Sequence, residues 1–277
     1  MVLDAFDYKE PSCVSCGGKE FYYPHSDEQT GSIPVRNIIE KLDGCFEMND
    51  LIGAERLLDY WYSEAEAMKD KRGLLAILSE QMGLYRKTNN KEKGLKSSYK
   101  GLDLLKELNL LDAVSGATIA LNAATTLKAF GKSTESIPIY KEVRTVYENK
   151  LSADDKKIAG LLNNMALAYV DAGEYSEAEK NYKRAITVLS NNTNTENEIA
   201  ITYINMAHLY RNEYGESEQK IYDCMEKAWE YLSSEKIKKN GYHAFVCEKC
   251  APSFEFFGYF VYADDLKGRI KEIYERT

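Results

Sequence analysis

Four of the 6 cysteines fall in two pairs of the same spacing, Cys13-Val-Ser-Cys16-Gly-Gly and Cys247-Glu-Lys-Cys250. Two residues between thiolates is the spacing that lets both sulfurs reach one tetrahedral ion, and the glycines after Cys16 supply the tight turn such a knuckle needs. One structural zinc held by Cys13, Cys16, Cys247 and Cys250 is one reading; a disulfide or redox pair, and plain buried thiols, are the others, and Cys13 and Cys16 with His25 make a local alternative. Cys45 and Cys224 stand alone in helical patterns and read as packing thiols. His208 is one of 3 histidines and has no second catalytic group near it in sequence, so it reads as a hydrogen-bonding residue and not a base.

The elements that must position these groups announce themselves by repetition. Small or apolar residues at Leu42, Gly83, Ala124, Ala166, Ala207 and Ala251 are each followed about twelve positions later by another, with a period near 42 residues. Self-similarity at that period means one supersecondary unit stacked repeatedly, each burying its apolar face on the next. The clearest copy runs Leu162-x2-Met165-Ala166-x2-Tyr169, Gly173-Glu174-Tyr175, Ala178-x3-Tyr182-x2-Ala185. Met165 and Tyr169 stand one helical turn apart, Ala166 admits a close partner, Gly173 takes a left-handed turn, and Ala178 packs where two helices cross.

This pattern resembles the tetratricopeptide repeat. Tyr203-x2-Met206-Ala207-x2-Tyr210 follows it closely, and Ala120-x2-Ala123-Ala124-x2-Leu127 with Gly131, Ser136 and Tyr140 less so. The second copy has Met82-Gly83 with Arg86 at the aromatic slot, and the last has Ala251, Phe254, Gly258 and Ala263 with Lys267 where an aromatic is usual. The ordinary repeat is 34 residues, so the longer period adds about one turn per helix. That long form is similar to the repeats of kinesin light chains and of bacterial peptide-sensing regulators, and the CxxCGG start before an all-repeat body resembles other bacterial proteins for which no activity is implied. No effector helix-turn-helix is recognisable in residues 1–50. The expected fold is therefore all-α: an α-α superhelix of about six hairpins over 32–277, preceded by an irregular, Cys-containing extension over 1–31. First helices are expected near 33–48, 72–89, 112–130, 155–172, 196–213 and 241–257, and second helices near 50–69, 91–108, 133–149, 175–190, 217–233 and 259–276.

In this resemblance the first helices line a concave groove. Two positions before each anchor stand Gln81, Asn122, Asn164, Asn205 and Lys249, a column of amides closed by a cation. Asn is a mediocre helix former, so its recurrence mid-helix asks for a reason, and a carboxamide both donates to and accepts from the backbone of an extended peptide. Neighbouring groove positions add Glu80, Thr125, Lys128, Asn163, His208, Arg211 and Asn212. Gln81, Asn122, Asn164 and Asn205 are expected to hold a peptide backbone, Lys128, Arg211 and Lys249 to select charge, and Asn163, His208 and Asn212 to supply adaptable contacts.

Composition narrows the rest. A net charge of -8, with Lys and Arg interspersed among Asp and Glu, argues against nucleic acid. No run of about 18 apolar residues occurs and the first residues, MVLDAFDYKEP, lack a signal pattern, so a cytoplasmic protein without membrane insertion is expected. There is no phosphate loop, zincin motif or nucleophile elbow, which points away from an enzyme. The expected function is a non-catalytic protein- or peptide-binding module, with a zinc- or thiol-dependent sensor, its extension clamped on the last repeat, as the alternative.

Overall fold

The computed structural model describes residues 31–214 and 218–275, which form twelve α-helices with no strand among them. They fall into two compact units, 31–150 and 151–275, each built of three helical hairpins. The first unit contains α1 (Val35–Glu47), α2 (Leu51–Ala67), α3 (Lys71–Lys87), α4 (Lys91–Glu107), α5 (Val114–Ala129) and α6 (Ser133–Lys150). The second contains α7 (Lys156–Asp171), α8 (Tyr175–Ser190), α9 (Glu196–Tyr214), α10 (Glu218–Leu232), α11 (Gly241–Phe256) and α12 (Phe260–Glu275). Among the described residues no helix is long and apolar enough to cross a membrane.

One turn geometry is used throughout. Asn49, Asn89, Gly131, Gly173 and Gly258, which separate the two helices of their hairpins, all have positive φ, between 53° and 85°. The residue after each sends its N–H back five positions: Asp50 to Cys45 O, Asn90 to Tyr85 O, Lys132 to Leu127 O, Glu174 to Tyr169 O and Tyr259 to Phe254 O, at 2.8–2.9 Å. That bond satisfies a carbonyl left orphaned by the first helix. In the first two hairpins the same residue also starts the next helix, Asp50 accepting from Gly53 N at 2.8 Å and Asn90 from Lys93 N at 3.2 Å. Lys69 (φ 58°) and Asn109 (φ 53°) repeat the geometry between hairpins, so the reversal α2–α3 is built like the reversal α1–α2.

Counting seven residues back from each positive-φ residue gives Leu42, Met82, Ala124, Ala166 and Ala251, all at most 3% exposed. The second hairpin therefore corrects the sequence expectation: Met82, not Gly83, sits at the helix crossing, and Gly83 is half-exposed with nothing within 4 Å of where a Cβ would stand. The aromatic slot three residues on is then Tyr85, 2% exposed, and not Arg86. The opposing small residue is Gly94, whose α-carbon lies so near the Phe130 ring that a Cβ would meet it at 2.5 Å. The bulky Met82 at the crossing is accommodated by Gly101 on the facing helix, where a Cβ would lie 2.6 Å from Met82 Cε.

The cores follow the repeat. Tyr140, Tyr147, Tyr182 and Phe254 are fully buried, as are Ala178 and Ala263 where second helices cross first helices. A side chain such as Phe254 contributes about 1.5–3 kcal/mol by leaving water, which is how helices of 13–19 residues hold together. Within each unit the first helices also pack side by side, α1 on α3 and α3 on α5, then α7 on α9 and α9 on α11.

Candidate peptide-binding face

The side-by-side first helices set where the amide column falls. In residues 31–150 the corrected register puts Glu80 two positions before the crossing and turns Gln81 inward. Gln81 is 5% exposed, its Nε2 donates to Asp59 Oδ1 on α2 at 3.3 Å, and its Oε1 accepts from Ser97 Oγ on α4 at 3.0 Å. It ties three helices together and is not a groove residue, contrary to the sequence expectation. Thr125 is likewise interior, donating to Leu121 O at 2.8 Å and accepting from Tyr140 OH at 3.3 Å. Asn122 is half-exposed and spans α3 and α5, its Nδ2 donating to Ser79 Oγ at 3.1 Å. Arg86, displaced from the aromatic slot, reaches the same interface and donates through Nη1 to Thr126 Oγ1 at 2.8 Å. Lys128 lies half-buried in the last turn of α5.

In residues 151–275 the column is deeper. Asn163 spans α7 and α9, its Nδ2 donating to Thr202 Oγ1 at 3.0 Å and its Oδ1 accepting from the same hydroxyl at 3.2 Å. Asn164 and Asn205 occupy equivalent positions on α7 and α9 and are 2% and 3% exposed, so they form the floor of the face and not its lip. Asn164 Oδ1 is buried with no hydrogen-bond partner among the described residues. His208 bonds Ser253 Oγ of α11 through Nε2 at 2.9 Å and lies against the rings of Phe256 and Phe257, centroids at 5.7 and 4.9 Å. Burial lowers its pKa from 6.5 to about 4, so the ring is neutral near pH 7. Arg211 and Asn212 are exposed beyond it, with the Arg211 guanidinium 6.0 Å from the Phe256 ring. Lys249 is half-buried and carries its Nζ 5.3 Å over Phe245. Phe256, 62% exposed, was not singled out from the sequence; it follows the repeat by standing five residues past the Ala251 anchor, where Asn212 stands past Ala207.

The cysteine expectations divide. Cys13, Cys16 and His25 lie outside the described residues. Cys247 and Cys250 are fully buried on α11, with Cys247 Sγ 3.4 Å from His243 Nε2 and His243 Nδ1 bonded to Asn197 Oδ1 at 2.9 Å. Burial pushes the Cys247 thiol up to about 12 and Cys250 well above the usual range. Among the described residues no group of three or more His, Cys, Asp or Glu is arranged to hold a metal ion. Cys224 is buried with its pKa also raised to about 12, while Cys45 is half-exposed and less enclosed than its helical pattern suggests.

Comparison with known proteins places this geometry. The tetratricopeptide repeat family model matches residues 115–191, which span α5 to α8. No curated protein matches. Among solved structures, BtubC (BKLC) from P. vanneervenii is similar over 71% of this chain and 79% of its own, at 21% identity and a TM-score of 0.61. The nearly identical TPR-like repeats of a Podosopora anserina putative kinesin light chain align over 72% of this chain and 94% of theirs, at 12% identity and a TM-score of 0.52. A point variant of those repeats aligns over 72% of this chain and 95% of its own, at 12% identity and a TM-score of 0.54. Such identities speak for the fold alone: the chain is all-α and built of helical hairpins of the kind seen in these TPR-like structures, and its residues 115–191 match the tetratricopeptide repeat model.

Proposed function

We propose that the protein is a non-catalytic interaction module that holds an extended peptide against the first helices α7, α9 and α11. Tetratricopeptide repeats in general mediate protein interactions, and the reading here is carried by Asn164. A buried carbonyl oxygen without a donor costs about 1–3 kcal/mol, and Asn164 Oδ1 is in that condition on the floor of the face. A backbone N–H of a bound strand is the kind of group that would satisfy it, which gives affinity without demanding a particular peptide sequence. Asn163 stands beside it on α7, and the cations Arg211 on α9 and Lys249 on α11 favour a ligand with acidic character.

The test is selection of peptides from a random library on the full chain, followed by calorimetric titration. Arg211→Ala and Lys249→Ala are each expected to weaken the selected peptides about tenfold or more, a loss of at least about 1.4 kcal/mol. Tyr60→Ser, at an exposed tyrosine on α2, should leave them unchanged. Peptides indifferent to both cation variants would overturn the proposal.

A further inference from the structure

Large apolar side chains left in water gather at the first and last hairpins. Of the ten that the described residues expose, four lie on or beside the first hairpin, four on the last, and two on the four hairpins between. An inner hairpin has a neighbour on both sides, and an outer one has a face on which nothing is stacked. On α2 the exposed Ile52, Tyr60 and, just past its end, Met68 come at eight-residue steps, about 80° of rotation each, so they fan around the helix. On α12 the exposed residues form a single stripe. Phe260, Asp264, Lys267, Lys271 and Tyr274 recur at alternating four- and three-residue spacing and all five are exposed, Phe260 at 64% and Tyr274 at 52%. The other side of α12 is committed to its own chain: Ala263, Leu266 and Ile273 are buried, Tyr262 stacks on Trp229 of α10 with centroids 4.1 Å apart, and Arg269 Nη1 donates to Leu232 O at 2.6 Å. We infer that the α12 stripe is a self-docking surface, through which two copies of the chain associate with their α12 helices antiparallel about a two-fold axis at Lys267.

The order of residues along the stripe is what favours a second copy. A two-fold axis presents the same surface on both sides, so the contact has to be complementary to itself. Phe260 and Tyr274 stand seven residues before and after Lys267, which sets the phenyl ring of one copy against the phenol of the other at both ends. Asp264 stands three residues before Lys267 and Lys271 four after, which sets each carboxylate against an ammonium of the other copy, twice per dimer. A parallel arrangement would instead set Asp264 beside Asp264 and Lys271 beside Lys271. Lys267 meets its own copy at the axis, and its charge is matched within its chain by Glu255 of α11 and by Asp264 at 3.6 Å. The ion pairs that hold the stripe in one chain are exposed and weak: Lys271 is 77% exposed and reaches Glu275 at 3.7 Å, and Asp264 is 78% exposed, so both turn to another copy at little cost. A helix of 16 residues is about 24 Å long and about 10 Å wide, so the contact stays well under the roughly 800 Å² per partner of a standard stable interface, and the dimer belongs to the weak class.

Sedimentation velocity of the full chain between about 10 µM and 1 mM reads such an association. The wild-type mass is expected to climb toward that of a dimer and to level off there. Asp264→Lys and Lys271→Asp each put like charges at both contacts and should each weaken association about tenfold or more. An equimolar mixture of the two variants should recover the wild-type association, because in the mixed pair opposite charges face each other at both contacts, and mixing does not repair a merely structural defect. A wild-type chain that stays monomeric, variants that associate as the wild type does, or a mixture that does not recover would each overturn the proposal. So would a mass that passes the dimer without a plateau, the mark of head-to-tail stacking. Both substituted side chains are exposed, so the variants should fold, which circular dichroism checks. Should either not, Phe260→Ser decides: weakened association supports the dimer, and unchanged association overturns it.

Discussion

Replacing Asn164 by Leu separates a residue kept for binding from one kept for stability. The carboxamide is 2% exposed and its Oδ1 has no partner among the described residues. Leucine has the same branching and number of heavy atoms but is the larger side chain, so about 1 kcal/mol of overpacking is set against the gain. Removing the unmet acceptor returns about 1–3 kcal/mol, and leucine's better helix propensity adds about 0.5 kcal/mol. The expected outcome is a protein more stable by about 0.5–2.5 kcal/mol, its thermal midpoint raised by about 2–4 °C for each kcal/mol. Peptides selected on the wild type should meanwhile lose affinity, the trade expected where a site is left unsatisfied for a ligand. Differential scanning calorimetry and titration of the same preparation read both quantities. A destabilised Asn164→Leu would mean that the carboxamide supports the fold, and the reasoning that makes it a ligand contact would fail.

Three further substitution or labelling results are expected. Gly83→Ala should stabilise the chain by up to about 1 kcal/mol, because α3 is open at that point and Ala is the better helix former, whereas Gly94→Ala should cost about 1–3 kcal/mol by driving a methyl into Phe130; urea midpoints measure both. Gly173→Ala should cost about 1–2 kcal/mol although nothing stands within 4 Å, since its φ of +77° alone penalises a side chain. Cys224, Cys247 and Cys250 should resist iodoacetamide at pH 8 in the native chain and react once urea unfolds it, because burial keeps their thiols protonated; mass spectrometry of labelled peptides would show otherwise if any one is open.

The hairpins were legible because each depends on a few residues at fixed offsets: a small residue at the crossing, an aromatic three residues on, a left-handed turn seven residues on. Where all of these are Ala, Tyr and Gly, as in 162–185, sequence and structure agree to within a residue or two. The second hairpin misleads because its small residue, Gly83, lies beside the crossing and its true occupant, Met82, is large. Asn89 was the better guide, since a left-handed turn can be counted back from, while a glycine inside a helix marks no position.

That one-residue slip is also why the face was only partly readable. A helix turns 100° per residue, so reading Gln81 in place of Glu80 moves the side chain from the first-helix face to the seam with α2 and α4, where it bonds Asp59 and Ser97. On α7 and α9 the anchor is unambiguous, so Asn163, Asn164, Asn205 and His208 stand at the offsets from it that the sequence spacing gives. Their depth was not legible, because burial at these positions is set by how closely neighbouring first helices approach, and the Asn163–Thr202 pair shows that approach to be within hydrogen-bond reach. The proposed binding carries the consequence that a ligand must part the groups over Asn164 to bring a donor to its Oδ1, so on that proposal affinity should depend on the peptide backbone there and on side-chain charge at Arg211 and Lys249.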